Sequence, residues 1–335
     1  MLLHPSFMLF LFFLILSITM IISSSSWFMA WIALEINLLS YIPLLLKKNN
    51  KYNAEAALKY FLTQTIASIM IITAVMIMDN QEKMFLMLIM TALFMKMGAA
   101  PTHQWLPSLV EGLSWPIIFV LLTMQKIGPI VLMSYMSKYL ELIYMEVLYI
   151  YVIMSALIGC VGGLSQSSLR KIMAFSSISH MAWLLVSLFI SNFMWLSYFS
   201  IYSFILFTLV ISFNITQSFK LSDIILKNKV STSILMALSI MSLGGLPPLS
   251  GFMPKFMMIQ ELLYQNYIIM TILLLSTFMS LFFYARVFLV NLIYMSHLNM
   301  WKMTENKMNI LLVFMNLVGI FFPSLMIMLI LNFKL

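Results

Sequence analysis

An all-α polytopic membrane protein is the fold class that the sequence predicts, and three observations predict it. Hydrophobic residues make up 63% of the 335-residue chain and charged residues only 8%, whereas a soluble domain carries roughly 25% charged residues. So few charges cannot cover a globular surface, so the apolar surface must face lipid or other helices. The apolar residues fall in about eleven runs of membrane-spanning length, and the cations between them collect in alternate connections. No stretch alternates apolar and polar residues between turns, which argues against a β-barrel.

A span needs about 20 residues. The runs lie at 3–22, 27–46, 55–78, 84–109, 115–137, 146–164, 172–190, 194–217, 231–264, 268–292 and 308–331. The first, MLLHPSFMLFLFF, has no Lys or Arg and no small-residue cleavage pattern, so it reads as a span and not as a leader or an Arg-rich transit peptide. The second holds Glu35 and Pro43. The third opens on EAALKYFLTQ. The fourth is interrupted by Gly98-Ala-Ala-Pro101 and again by Pro107, the fifth is loosened by Gly128-Pro129, and the seventh carries His180. The ninth is interrupted by GGLPPLSG at 244–251 and by Pro254-Lys255.

The connections test this order. One alternate set holds Lys47, Lys48, Lys51, Arg170, Lys171, Lys220, Lys227, Lys229, Lys302 and Lys307; the other holds Lys83, Lys138 and Lys334. Cations favour the inner side, so the N-terminus is expected inside, and removing one span would scramble the bias. Trp27, Trp115, Trp195 and Trp301 fall near span ends, where indoles favour the interface.

Counted in fives, the two interrupted spans occupy corresponding places. The expected organisation is a single transmembrane domain, with a first five-helix repeat at 1–137, a second at 146–292 and an extra helix at 308–331. A repeat of five spans must be inverted in the membrane. Discontinuous helices at matching places of inverted halves mark ion or substrate paths in transporters.

A charge near the bilayer centre costs about 2.5–3.5 kcal/mol on insertion scales and persists where it is paired, hydrated or functional. Lys96 lies about twelve residues into its span, roughly 18 Å at 1.5 Å per residue. Glu35, deep in the second span, is its simplest counter-ion; the alternative is a protonated carboxyl bonded to a neighbour. Lys126 lies at mid-depth of the fifth span, and Lys255 follows the second break. His180, among Ser176, Ser177 and Ser179, is either a structural group or one that titrates near neutral pH. His103, just past the first break, is a secondary proton-path candidate. So is Lys59, which reads equally as a local partner of Glu55 at i,i+4. Arg286 is expected to snorkel toward the inner end of the tenth span. Asp79, Glu82, Glu141 and Glu146 read as outer-connection charges, and His4 and His297 as interfacial groups. The series Glu35, Lys96, Lys126, His180 and Lys255 is titratable throughout and holds no metal-ligand cluster, which points to proton movement along a hydrated line.

Other chemistries are narrowed in turn. The single cysteine, Cys160, cannot hold an iron–sulfur cluster or form a disulfide within the chain. No dinucleotide fingerprint or phosphate-binding loop appears. The net charge of +8 is explained by topology, so nucleic acid is not expected as a partner. Thirty-four methionines suit helix packing, but an AT-rich organellar codon bias explains them better.

The segments EINLLSYIPLL, EAALKYFLTQ, MKMGAAPTHQWLP, MQKIGP, LRKIMAFSSISHMAW and SLGGLPPLSGFMPK, spread over about 27–264, resemble the mitochondrial NADH–ubiquinone oxidoreductase chain 2 family, the antiporter-like membrane subunits of respiratory complex I. The Met-rich composition is similar to that of arthropod mitochondrial gene products. The resemblance implies a proton-translocating subunit of the inner mitochondrial membrane, with its N-terminus on the matrix side. Other membrane-arm subunits and lipid, cardiolipin included, are the implied partners. NADH, FMN, iron–sulfur clusters and ubiquinone are expected on partner subunits, with no cofactor or metal in this chain. It further implies that Glu35 and Lys96 form a Glu–Lys pair, Lys126 is the middle lysine, His180 the central link and Lys255 the distal lysine. His103 matches the family's histidine, although Thr102 and Gln104 stand where the family commonly has aromatics. A stand-alone cation/proton antiporter and a non-pumping scaffold are the rival readings.

Overall fold

The structure, a computed structural model, describes residues 5–46, 50–78, 82–136, 142–227, 230–247 and 249–297. Among these residues there are fourteen helices and no strand; a single bridge joins Ser168 to Lys220. The helices are α1 (Pro5–Ser23), α2 (Trp27–Leu45), α3 (Lys51–Ile77), α4 (Glu82–Met97), α5 (Trp105–Val110), α6 (Trp115–Leu122), α7 (Met124–Met136) and α8 (Leu142–Leu164). They continue with α9 (Leu169–Ile190), α10 (Asn192–Thr216), α11 (Leu221–Lys227), α12 (Val230–Gly244), α13 (Phe252–Gln265) and α14 (Tyr267–His297).

Eight segments among the described residues are long and apolar enough to cross a membrane: α1, α2, α3, α6 with α7, α8, α9, α10 and α14. The expected fourth span is two pieces, α4 and α5, and the expected ninth is α12 and α13. The expected eleventh, 308–331, lies outside the described residues. Starts are set by local chemistry. Ser26 and Ser191 accept the backbone N–H of Met29 and Met194, capping α2 and α10.

The chain divides into two compact units, 1–158 and 159–335, with the division inside α8. In the first unit α1 packs on α2 and α7, α3 on α2, α4 and α5, and α4 on α7. In the second, α10 packs on α9, α12 and α13, while α14 packs on α9, α11, α12 and α13.

Both broken helices end in the same way. Gly98 has φ 73° and Gly245 has φ 80°, the left-handed region that only glycine enters cheaply. The N–H groups of Gly98 and Ala99 return to the carbonyls of Met95 and Phe94, at 3.2 and 3.0 Å. Those of Gly245 and Leu246 return to Ser242 and Met241, at 3.0 and 3.4 Å. Each is the paired 5→2 and 6→1 closure of a glycine-terminated helix. The glycines therefore stop α4 and α12 before they complete a crossing.

The fifth span is interrupted more gently. Thr123 separates α6 from α7, and its hydroxyl donates to Phe119 O at 2.7 Å. Pro129, inside α7, has no N–H to return to the Gln125 carbonyl, which weakens the helix beside Lys126.

Candidate functional site

The first unit gathers its polar residues around the end of α4. Lys96 lies in the last turn of α4 and is 6% exposed. The C-terminal turn of a helix carries partial negative charge, so the ammonium is placed where it is stabilised. The Trp105 indole N–H donates to Met95 O at 3.2 Å, tying α5 back to that turn. Glu35, on α2, interacts with Lys96 through space and not by a direct ion pair. The same carboxyl acts on Tyr60 of α3. The buried Tyr60 hydroxyl donates to Gln125 Oε1 at 3.0 Å, and its ring stands edge-on to Tyr41 and Trp105, with centroids 5.0 and 6.0 Å away. Lys126 follows Gln125 on α7 and is 2% exposed. Glu35 and the start of α7 thus meet at one buried tyrosine, and the same carboxyl acts on Lys96. Sequence reasoning passed over Tyr60 and Gln125, although each is the immediate neighbour of a lysine already singled out.

The two secondary candidates stand apart. Lys59 Nζ meets Glu55 Oε1 at 2.6 Å on an outward face, with side chains 42% and 59% exposed. The i,i+4 partner is therefore real. His103 is buried, its Nδ1 3.1 Å from Pro101 O within the break.

In the second unit Lys255 extends from α13 back to the end of α12. Its Nζ donates to Leu243 O and Gly244 O at 3.1 and 2.9 Å. The lysine closes carbonyls that the break leaves unpaired. A Cβ on Gly245 would come within 2.8 Å of Lys255 Cδ and 3.0 Å of its Nζ, so the glycine also makes room for the stem.

His180, on α9, pairs with the Tyr198 hydroxyl of α10, 2.9 Å from Nδ1. The neighbouring serines bond first within α9. Ser176, Ser177 and Ser179 donate to Met173 O, Ala174 O and Ser176 O of their own helix. Tyr202 stands 5.0 Å from the imidazole, centroid to centroid. A small cavity borders His180, Tyr198, Tyr202, Ser242, Leu243 and Pro254, and leaves about 10 Å³ for the centre of a water molecule, room for one water. Leu243, whose carbonyl Lys255 holds, lines that cavity, so His180 and the second break share one wall. Tyr198 and Tyr202 lie eighteen and more residues from His180 and carried no motif in the sequence.

Arg286 is half-buried, and its guanidinium meets backbone carbonyls. It donates to Leu164 O at 2.9 Å, and to Gly163 O and Gln166 O, closing the end of α8.

The family model for the NADH:quinone oxidoreductase/Mrp antiporter transmembrane region matches residues 24–83 and 79–280, which include Glu35, Lys59, Lys96, His103, Lys126, His180 and Lys255. A protein of Anopheles gambiae named NADH-ubiquinone oxidoreductase chain 2 is 40% identical over 317 residues, covering 90% of both chains. The chain belongs to the NADH-ubiquinone oxidoreductase chain 2 family. A Locusta migratoria protein of the same name is 38% identical over 91% of each chain. In fold, the chain is similar to one in respiratory complex I from Thermus thermophilus, with TM-score 0.80 and 19% identity over 94% of this chain and 78% of that one. A chain of the Mrp complex from Dietzia matches with TM-score 0.73 and 16% identity, over 83% of this chain and 59% of that one. Among the described residues no three His, Cys, Asp or Glu side chains gather as a metal site. The groups gathered at the two breaks are the buried ammonium groups of Lys96, Lys126 and Lys255, the half-buried Glu35 carboxyl, the His180 imidazole and the tyrosine phenols.

Proposed function

We propose that the chain is a proton-translocating core subunit of respiratory complex I in the mitochondrial inner membrane. NADH:ubiquinone electron transfer then takes place on partner subunits that carry the FMN, iron–sulfur clusters and quinone. The observation that carries this reading is that both interrupted helices end on a buried lysine. At the first break Lys96 precedes the glycine, and at the second Lys255 returns to the last carbonyls. A buried charge this costly is retained where its protonation has a use.

The device follows from the geometry. A protonated lysine stabilises the carbonyl end of a half-helix; a neutral one releases those carbonyls to water. Proton gain and loss are thereby tied to hydration of the break. Glu35 biases Lys96 by its charge, so moving or neutralising that carboxyl changes the cost of the ammonium. Lys126, His180 and Lys255 are the further proton carriers in this reading, with Lys59 and His103 as entry or exit candidates. Two similarly terminated helices, one in each compact unit, support an inverted five-helix repeat. The partners are other membrane-arm subunits and lipid.

Lys96→Met in the assembled complex tests the reading. Protons pumped per electron are expected to fall, and coupled turnover to drop by about tenfold or more, the scale of a lost positioned acid–base group. An unchanged stoichiometry removes Lys96 from the path. The fold likeness to the Mrp chain keeps a stand-alone antiporter in view. Sodium uptake driven by a pH gradient, with the purified chain alone in liposomes, would favour it.

A further inference from the structure

We propose that Tyr198 is the positioning residue for His180: its hydroxyl fixes the imidazole through Nδ1 and thereby presents Nε2 as the exchanging nitrogen toward the cavity that borders the second helix break. The inference rests on the proposed role of His180 and adds a residue and a geometry to it.

Four observations support it. Tyr198 is 2% exposed and His180 6% exposed, so the hydrogen bond between them is shielded from solvent and strengthened accordingly. The tyrosine is itself held, because Trp183 lies parallel to its ring at 6.5 Å and 9°. Trp183 follows His180 by three residues, so α9 supplies both the imidazole and the plate that steadies its partner. Ser176 and Ser177 donate to carbonyls of their own helix and also meet Tyr284 and Tyr202, while the α10 phenol of Tyr198 lies 2.9 Å from Nδ1 of the imidazole. The two imidazole nitrogens are distinct, and the hydrogen bond made by one determines which proton the other carries. Ser242, Leu243, Gly251 and Pro254 of the second break form the opposite part of the cavity wall, and Leu243 O is held by Lys255.

The titratable groups around the imidazole are Tyr198 and Tyr202 on α10, Tyr284 on α14 through its interaction with both tyrosines, and Lys255 behind Leu243. Tyr198→Phe removes one hydroxyl and keeps the ring that Trp183 supports. In the assembled complex this variant is expected to retain normal subunit content and thermal midpoint, to pump fewer protons per electron, and to show a displaced pH profile of pumping. In His180→Gln, adding Tyr198→Phe is expected to change neither the stoichiometry nor the profile further, because a residue that acts through another loses its effect with it. If His180→Gln lowers pumping while Tyr198→Phe leaves it intact, or if the two effects add in full, Tyr198 does not position His180. If His180→Gln leaves pumping intact, the role of His180 itself fails and the inference falls with it.

Discussion

A glycine and a lysine share the second break so closely that neither has freedom to change. Gly245 occupies a left-handed backbone conformation and lies against the Lys255 stem. Gly245→Ala meets two penalties: about 1–3 kcal/mol of backbone strain, and a Cβ 2.8 Å from Lys255 Cδ. The stem must then retreat from the Leu243 and Gly244 carbonyls. A lower thermal midpoint together with reduced pumping is expected; reduced stability with full pumping would show that the ammonium's contact with those carbonyls is dispensable. Gly98→Ala tests the strain separately, because the crowding there falls on Leu106 and Trp105 and not on Lys96. It is expected to lower the midpoint similarly while affecting pumping less.

Helices end here by devices that combine distant parts of the sequence. Arg286 of α14 holds three carbonyls at and beyond the end of α8, more than a hundred residues away. Arg286→Leu leaves those carbonyls without that donor, at a cost of about 2 kcal/mol or more. A lower unfolding temperature of the complex, with per-electron stoichiometry preserved, is the expected result. Gly251, before α13, lies where a Cβ would stand 1.7 Å from Ser242 O, so α12 and α13 meet backbone to backbone. Gly251→Ala is accordingly expected to block assembly, read as loss of the mature complex on a native gel. Pro129 is the opposite case. Pro129→Ala restores the donor for Gln125 O and straightens α7 beside Lys126; interior proline costs a helix about 3 kcal/mol. Stability is expected to hold or rise while coupled turnover falls. A variant more stable and equally active would show that the loosened helix has no role in moving protons.

Across the whole chain, orientation is set by charge outside the spans. Ten Lys and Arg residues fall in one alternate set of connections and three in the other. The positive-inside rule predicts from this bias an N-terminus on the matrix side. A protease-cleavable N-terminal tag is expected to be protected in intact mitoplasts and cut in inside-out vesicles; the reverse pattern would invert every span assignment.

Much of this was legible in order along the chain, for physical reasons. Lipid demands long apolar helices with every backbone group satisfied, so composition and run length exposed the all-α membrane fold. Gly98-Ala-Ala-Pro101 and GGLPPLSG declared the two breaks, because glycine and proline act on the backbone locally. Glu35, Lys96, Lys126, His180 and Lys255 stood out because charge inside an apolar run is costly wherever its partner lies. The partners themselves were invisible. Tyr60 with Gln125, Tyr198 with His180, and Lys255 with the α12 carbonyls are meetings between helices, and an apolar run holds no record of which neighbour packs against it. Arg286 shows the limit most plainly: position within a span suggested a snorkelling arm, and only packing named the carbonyls at the end of α8 that it meets. Periodicity and local cost specify the elements and the unusual residues, while only packing across helices chooses their hydrogen-bond partners.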